Sequence, residues 1–293
     1  MNQLFKHSDA PVSNSYKYFL NCPSIVQTGN WIKQLEKIYT TKEQAIIKAL
    51  LNHNNIRKKQ VVIKLGTKNT IDHEYTVGKI LSSIPGFIKY ICKTECYDDI
   101  TKYSNITNST VICSNSKNDE LVHLLIMPYI PQGSMRGYNW ENNINVFRAC
   151  FKQLIASLVV AFNTYGFLHM DIHLGNVLIK HTKKKSIEYS DINIIVETCG
   201  HEIVIMDFEH AFIGVDRSDT MSFYKDILRI INEITLVLNL EFDEMQYINQ
   251  FVMKRCYERA KIEDVFTLFK VIDRMKFIGK RKPRSLVYDP TNY

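Results

Sequence analysis

The chain has 293 residues, of which 45% are apolar and 23% are charged, and 37 Lys and Arg against 30 Asp and Glu give a formal net charge of +7. This composition is typical of a globular protein and excludes disordered, collagen-like and low-complexity proteins. No uncharged apolar stretch of about 18 residues occurs and the first residues lack the apolar segment of a secretory signal, so we expect an intracellular, cytoplasmic protein without a membrane span.

The cysteines show no pattern typical of a disulfide framework or a metal site. The chain has seven of them, an odd number, with no CxxC pair and no histidines at zinc-ligand spacing. We therefore expect free thiols in a reducing compartment rather than disulfides or a structural metal.

The first half of the chain contains short apolar runs rich in β-branched residues, which are typical of strands. The clearest are residues 45–51, 60–65 and 121–127. One helix is predicted over about residues 73–83, where Ile-Pro-Gly ends it. Pro128, Pro131 and Gly133 then predict a short linker.

The second half has the periodicity of helices. Apolar residues recur at helical spacing from Phe147 to Phe162, two strand-like runs follow at 176–179 and 202–206, and the chain from Ser222 onward is predicted to be helical.

These patterns predict an α+β, two-lobed architecture. The N-terminal lobe would be a small antiparallel sheet with one helix over residues 1–130, including an extension of about residues 1–30. The C-terminal lobe, residues 131–293, would be mainly helical, with an insert at about 180–200 and a basic C-terminal segment. A ligand is expected in a cleft between two such lobes.

Three polar segments follow predicted strands or the long helix: residues 61–64, 169–176 and 206–209. Asp171 and Asn176, five positions apart on a tight loop, can converge on one point, and Asp207 can meet them from a neighbouring strand. Two carboxylates and an amide oxygen suit Mg²⁺, which also takes substrate phosphate oxygens, and a lysine can add a positive charge. The pattern predicts a nucleotide-phosphate site with an Asp that receives a hydroxyl proton.

Over most of its length the chain resembles the protein-kinase-like superfamily. Residues 35–49 resemble its first hairpin, and Val61-Val-Ile-Lys64 resembles its third strand. Glu74 resembles the glutamate of helix αC that pairs with the lysine. Residues 126–135 resemble the gatekeeper and hinge, and Asp226 resembles the buried acid of helix αF.

The resemblance implies ATP as cofactor, with Mg²⁺ or Mn²⁺. Lys64, fixed by Glu74, would contact the α- and β-phosphates. Met127 would be the gatekeeper, and backbone groups around Tyr129 and Ile130 would hold the adenine. Two apolar residues of the first hairpin are also assigned to the nucleotide site, Ile38 and Ile46.

The resemblance also implies a catalytic set in the second half. Asp171 would orient and deprotonate the acceptor hydroxyl, and Asn176 and Asp207 would hold the metal. His173 would lie near the γ-phosphate, where a lysine is usual, and if it is charged there the activity should change with pH around its titration.

Several positions depart from the protein-kinase pattern. Tyr39, Thr41 and Gln44 stand where three glycines are expected, and side chains there should keep the backbone from closing on phosphates. His173, and Glu209 in the place of a glycine, are more similar to aminoglycoside- and choline-kinase loops.

Three functions stay open. The first is a serine/threonine-protein kinase of the type found in large DNA viruses, which would act in the host cytoplasm and could enter the virion. The second is a small-molecule kinase with a pocket for cations. The third is a pseudokinase that binds without turnover. Candidate acidic residues for the cation pocket are Glu241, Asp243 and Glu244.

The net charge is concentrated near the C-terminus. Residues 274–284 carry six basic residues and no acid, so the rest of the chain nets only +1. We therefore expect no specific nucleic-acid binding. The expected partners are a protein substrate and, for the basic segment, an acidic protein or a membrane surface.

Overall fold

The computed structural model describes most of the chain. The described residues are 32–51, 59–105, 112–113, 119–140, 142–238, 242–258 and 260–274. They form an α+β fold, as predicted, which is compatible with a two-lobed protein-kinase-like architecture. The predicted N-terminal extension and all but the first residue of the basic segment lie outside the described residues.

The described residues divide into two compact units. Residues up to Pro131, together with Met206–Ala211, form the first unit. Gln132–Ile205 and the residues from Phe212 onward form the second unit.

The first unit contains a five-stranded antiparallel sheet with the strand order β1-β2-β3-β5-β4. Alternate residues of β2, such as Ala45, Ile47 and Ala49, are buried in its core, which gives the period of two expected of a strand with one face inward. The strands are β1 Ile32–Thr40, β2 Ala45–Leu51, β3 Lys59–Gly66, β4 Cys92–Asp98 and β5 Glu120–Pro128.

The helix of the first unit, α1, spans Lys68–Leu81 and begins five residues before the predicted start at 73. Its first turn is polar, so apolar periodicity could not reveal it. Thr67 supplies the start signal instead, because its side-chain oxygen accepts the N–H of Thr70.

The second unit has helix α2, Ile144–Tyr165, at its core, and α2 ends at Gly166, which adopts a left-handed φ of 59°. Two antiparallel strand pairs and three further helices follow. The strands are β6 Val177–His181, β7 Ser186–Tyr189, β8 Ile194–Glu197 and β9 His201–Ile205, with β6 paired to β9 and β7 to β8. The helices are α3 Thr220–Val237, α4 Phe242–Tyr257 and α5 Thr267–Arg274.

The insert expected at about 180–200 contains the β7–β8 hairpin. The hairpin packs on α2, where the Tyr189 hydroxyl donates to the Gln153 carbonyl at 3.2 Å and Ile187 and Val196 are buried. The hairpin of the insert is therefore packed into the core of the second unit.

Helix α2 is long and apolar enough to cross a membrane by length and composition alone, and it is the one such helix in the described part of the chain. Most of its side chains are buried within the protein, as in a core helix, and it carries Arg148 and Lys152. Its composition is thus explained by packing.

The prediction of free thiols is wrong for three of the described cysteines, because Cys92, Cys96 and Cys113 are disulfide-bonded. Cys96, in β4, forms a disulfide with Cys113, 17 positions later. Asp98 brings the second cysteine close, because its buried carboxylate accepts the N–H of Cys113 at 2.9 Å and the hydroxyl of Tyr103 at 2.6 Å. Sequence spacing alone does not reveal this contact.

Candidate active site

Lys64 lies near the end of β3 with its ammonium group inside the first unit, where the side chain is 4% exposed. Its Nζ atom is 2.7 Å from Glu74 Oε2, 2.9 Å from Asp207 Oδ1 and 3.1 Å from Glu209 Oε2. These four residues are called the lysine cluster below. The pairing of Lys64 with Glu74, which the resemblance implied, is confirmed.

Glu74 is fixed from both sides. One carboxylate oxygen accepts from Lys64, and the other accepts from the Tyr90 hydroxyl at 2.6 Å. Gly78, one turn further along α1, leaves room for that tyrosine, because a Cβ at this position would lie 2.2 Å from Tyr90 Cε2. The sequence prediction missed Tyr90, although a glycine inside a helix is a signal of close packing.

The segment 206–211 carries Asp207 and Glu209 into the first unit. Phe208 is fully buried, and its ring centre is 6.0 Å from that of Phe87 and 6.2 Å from that of Tyr90. Asp207 adopts a left-handed φ of 67°, which Asp tolerates better than most residues. The packed phenylalanine therefore directs the carboxylates on either side of it to Lys64.

The charges of the cluster shift each other's ionisation. Burial alone would lower the pKa of Lys64, but the carboxylates of Glu74 and Asp207 outweigh it and raise that pKa, so the ammonium stays charged. Burial raises the pKa of Glu74, opposed by Lys64. Desolvation and the Glu74 carboxylate raise the pKa of Tyr90, which keeps its hydroxyl a donor.

Gln44, at the end of the β1–β2 turn, reaches the lysine cluster with its side chain. Its Nε2 atom donates to Glu209 Oε2 at 2.9 Å. The turn itself is closed by the Thr41 N–H, which donates to the Gln44 carbonyl at 2.8 Å. Gln44 stands where the protein-kinase pattern has a glycine, and this bond was not predicted from the sequence.

In the second unit, buried Asp226 anchors the loop that precedes Asp171. Its Oδ2 atom accepts the backbone N–H of His169 at 2.8 Å and that of Met170 at 3.3 Å. Met170 has a left-handed φ of 63°, an uncommon conformation for this residue type. The acid predicted to be buried in this helix is therefore buried, and it holds the loop.

The side chain of Asn176 contacts the backbone of Asp171 across the loop, whereas the predicted convergence of the two side chains on a metal stays a prediction. The Asn176 amide Nδ2 donates to the Asp171 carbonyl at 3.1 Å, and Asn176 is only 6% exposed. The Asp171 side chain, by contrast, is 52% exposed and accessible to a substrate.

His173 caps the 3-10 turn Leu174–Asn176. Its Nδ1 atom accepts the Gly175 N–H at 3.0 Å, and its Nε2 atom is 3.9 Å from Asp171 Oδ2. Burial, and then the nearby Arg136, lower the pKa of this imidazole. Since Nδ1 acts as an acceptor, the geometry favours a neutral His173, and the expectation of a charged group in the place of lysine gains no support.

The remaining residues assigned to the nucleotide site all lie in the first unit. Met127 is buried in β5 and is followed by half-buried Tyr129 and buried Ile130. Ile46 lies in β2 opposite the lysine of β3, whereas Ile38 in β1 is 51% exposed. Their contact with a nucleotide stays a prediction. The side chains of Glu241, Asp243 and Glu244 lie outside the described residues.

Comparison with known proteins finds kinases. No protein-family model matches the chain. A quarter of the chain, 76 residues, is 37% identical to the serine/threonine-protein kinase haspin homolog of Drosophila melanogaster and covers 13% of that protein. Another match, of 80 residues, is 34% identical to a probable serine/threonine-protein kinase of Dictyostelium discoideum and covers 6% of it. The chain has a protein-kinase-like relationship.

A third match, 26% identical over 126 residues, is to an uncharacterized protein of Caenorhabditis elegans and covers 41% of the chain and 42% of that protein. The chain thus spans less than half the length of each of these relatives.

The two residues that the sequence analysis assigned to Mg²⁺, Asp207 in the first unit and Asn176 in the second unit, each carry an oxygen of the kind this ion prefers. The Asp207 carboxylate is 34% exposed, and the Asn176 amide nitrogen is bound to backbone, which leaves its oxygen as the atom for a ligand. Mg²⁺ prefers such oxygens, together with waters and phosphates. Among the described residues, no group of three or more His, Cys, Asp or Glu side chains forms a metal cage of its own.

Proposed function

We propose that the chain is an ATP- and Mg²⁺-dependent serine/threonine-protein kinase. The observation that carries the proposal is the buried ammonium of Lys64, held by Glu74 and Asp207 at 2.7 and 2.9 Å. A buried lysine bound by carboxylates from a helix and from a second segment pays a large desolvation penalty, so stability alone does not explain it. It is useful where a positive charge must be kept in place for phosphate oxygens.

In the proposed reaction the acceptor hydroxyl oxygen attacks the γ-phosphorus, and the bond from this phosphorus to the bridging oxygen of ADP breaks. Asp171, whose carboxylate is exposed, orients the hydroxyl and takes its proton. Lys64 binds the α- and β-phosphates. Asn176 and Asp207 would hold Mg²⁺, which would supply positive charge to the phosphates. His173 holds the loop through its bond to Gly175.

The fly and Dictyostelium relatives are described as serine/threonine-protein kinases, which favours serine or threonine as the acceptor. The resemblance to kinases of large DNA viruses extends the proposal to action in a host cytoplasm. The basic residues 274–284 would then bind an acidic partner or a membrane surface, and a chain truncated after residue 273 should lose that binding while it keeps its activity.

A small-molecule kinase is the second candidate, favoured by Glu209, which stands in the lysine cluster where a protein kinase has glycine. The two candidates differ in the acceptor. With γ-³²P-labelled ATP, casein-like proteins should be labelled and cationic small molecules should not. Selective labelling of choline or an aminoglycoside would refute the protein-kinase proposal.

A pseudokinase would bind nucleotide without transfer. A Lys64→Met variant separates this case, because a kinase should lose transfer to any acceptor, and ATP consumption with it. If the wild type binds Mg·ATP and neither it nor the variant consumes ATP, the chain is a binding module and the proposal is wrong.

A further inference from the structure

All three protons of the Lys64 ammonium are already used inside the protein. A lysine has three donors and no acceptor, and Nζ lies within 3.1 Å of one oxygen each of Glu74, Asp207 and Glu209. A phosphate oxygen can therefore reach this ammonium only if one of the three carboxylates gives up its place.

Glu209 is the carboxylate that can leave. Glu74 is held by the Tyr90 hydroxyl as well and its side chain is 2% exposed. Asp207 is also partly exposed, at 34%, but it has the shortest side chain of the three and directly precedes the buried Phe208, which leaves it the least reach away from Lys64. Glu209 has the longest contact to Lys64, 3.1 Å, and its longer side chain is 29% exposed.

Gln44 keeps Glu209 in place. Its amide donates at 2.9 Å to the same oxygen, Oε2, that accepts from Lys64. The residues before it in the β1–β2 turn, Thr41 to Glu43, are exposed, so the bond joins the lysine cluster to a surface turn.

The charge of the cluster disfavours a bare phosphate. One ammonium faces three carboxylates within 3.1 Å, so negative charge is in excess before any nucleotide arrives. A nucleotide without a metal adds further negative charge. A divalent cation offsets this excess and gives the Glu209 carboxylate a partner once it leaves Lys64.

We propose that Glu209, held by Gln44, is a gate on Lys64 that admits nucleotide phosphates only together with a divalent cation. This inference rests on the proposed function, because it presumes that Lys64 is a phosphate-binding residue. In this proposal Gln44, at the end of the β1–β2 turn, holds Glu209 in place. It stands in the part of the chain where glycines usually approach the phosphates.

The test is the binding of ADP to the full chain by titration calorimetry, in EDTA and in Mg²⁺. We expect wild type to bind ADP about a hundredfold more tightly in Mg²⁺. The Glu209→Gln variant should bind ADP in EDTA about tenfold more tightly than wild type, because one negative charge is gone while shape is kept. Gln44→Ala should bind about threefold more tightly in EDTA, because the latch is released.

The matched control is Glu95→Gln, the same substitution in β4 of the same sheet, where Glu95 is 61% exposed and lies beside His123 rather than Lys64. It should bind ADP in EDTA within about twofold of wild type, since an exposed, distant charge contributes little. A general change of net charge would move both glutamate variants alike.

The outcomes separate the two claims. The gate is refuted if Glu209→Gln binds ADP in EDTA no more tightly than Glu95→Gln does. It is also refuted if the affinity of Glu209→Gln exceeds that of wild type by the same factor in EDTA and in Mg²⁺. In both cases nucleotide binding itself stands. If wild type binds ADP in neither buffer, the proposed function fails and the gate fails with it. If circular dichroism shows that Glu209→Gln does not fold, the Gln44→Ala result decides alone.

Discussion

Asp226 offers the sharpest structural prediction in the second unit. It is 3% exposed, and its Oδ2 atom accepts the N–H groups of His169 and Met170, the two residues before Asp171. Replacing Asp226 by Ala leaves both N–H groups without this acceptor and leaves the left-handed Met170 without support.

The magnitude follows from these contacts. Hydrogen bonds to a charged group contribute about 1.5–3 kcal/mol each, and the 3.3 Å bond to Met170 belongs at the lower end. We expect the free energy of unfolding to fall by about 3–5 kcal/mol in Asp226→Ala. For a unit of this size that is a drop in Tm of about 10 °C. Asp226→Asn keeps one acceptor oxygen and should lose roughly half as much.

Thermal unfolding followed by circular dichroism is the assay, and Asp219→Ala is the control. Asp219 precedes the same helix, α3, and its half-buried side chain accepts the N–H of Ser222 as a helix cap, so its loss should cost about 1 kcal/mol. Phosphate transfer should fall in the Asp226 variant because the Asp171 loop loses its anchor. A Tm loss no larger than that of Asp219→Ala would refute the reasoning.

Three further predictions concern other contacts. Since the pKa of His173 is lower in the folded protein than its ordinary value of 6.5, the stability it contributes is complete above about pH 6.5 and declines as the pH falls toward the folded-state pKa. The free energy of unfolding of His173→Asn, which can still cap the turn, should depend less on pH below about 6.5, and an unchanged slope would contradict this. Gly78→Ala should lower the free energy of unfolding in denaturant by about 1–2 kcal/mol, because its Cβ would lie 2.2 Å from the Tyr90 ring and displace it. This cost outweighs the better helix propensity of Ala. A more stable variant would show that the ring moves freely. Replacing both Cys96 and Cys113 by Ser removes a disulfide that joins residues 17 positions apart and should cost about 3 kcal/mol in the same measurement. Cys199→Ser, at a free and exposed thiol, should change nothing. A double variant as stable as the wild type would argue against this bond.

The fold class and the main elements could be predicted from the sequence because they depend on local periodicity. The alternation in residues 45–51 and the helical spacing from Phe147 to Phe162 correspond to β2 and α2. The start of α1 was misplaced because its first turn is polar and a threonine cap, rather than an apolar residue, marks it.

The candidate site was predictable where residue types stand at a fixed spacing. Lys64, ten positions before Glu74, belongs to such a pattern, and the two side chains are in contact. Asp171 and Asn176 belong to another, and there the Asn176 side chain bonds the Asp171 backbone. The bond between Gln44 and Glu209 joins positions 165 apart in the sequence. Contacts of this kind depend on the folded arrangement of several elements, so residue type and local spacing do not predict them.

The same limit explains the cysteines. An odd number without motif spacing favoured free thiols, and Cys150 and Cys199 are free. The Cys96–Cys113 bond depends on Asp98, whose carboxylate gathers a tyrosine hydroxyl and a backbone N–H around the end of β4. A buried acid with several partners is a tertiary feature.

The most direct test of the central claim is transfer of the labelled γ-phosphate of ATP to a protein acceptor with Mg²⁺, in wild type and in Asp171→Asn. The substitution keeps size and removes the proton acceptor, and the exposed Asp171 side chain carries little of the fold. We predict transfer by wild type and a loss of at least about a hundredfold in the variant, with equal Tm and equal Mg·ADP affinity. Equal transfer by both proteins would contradict the assignment of Asp171 and the proposed kinase mechanism.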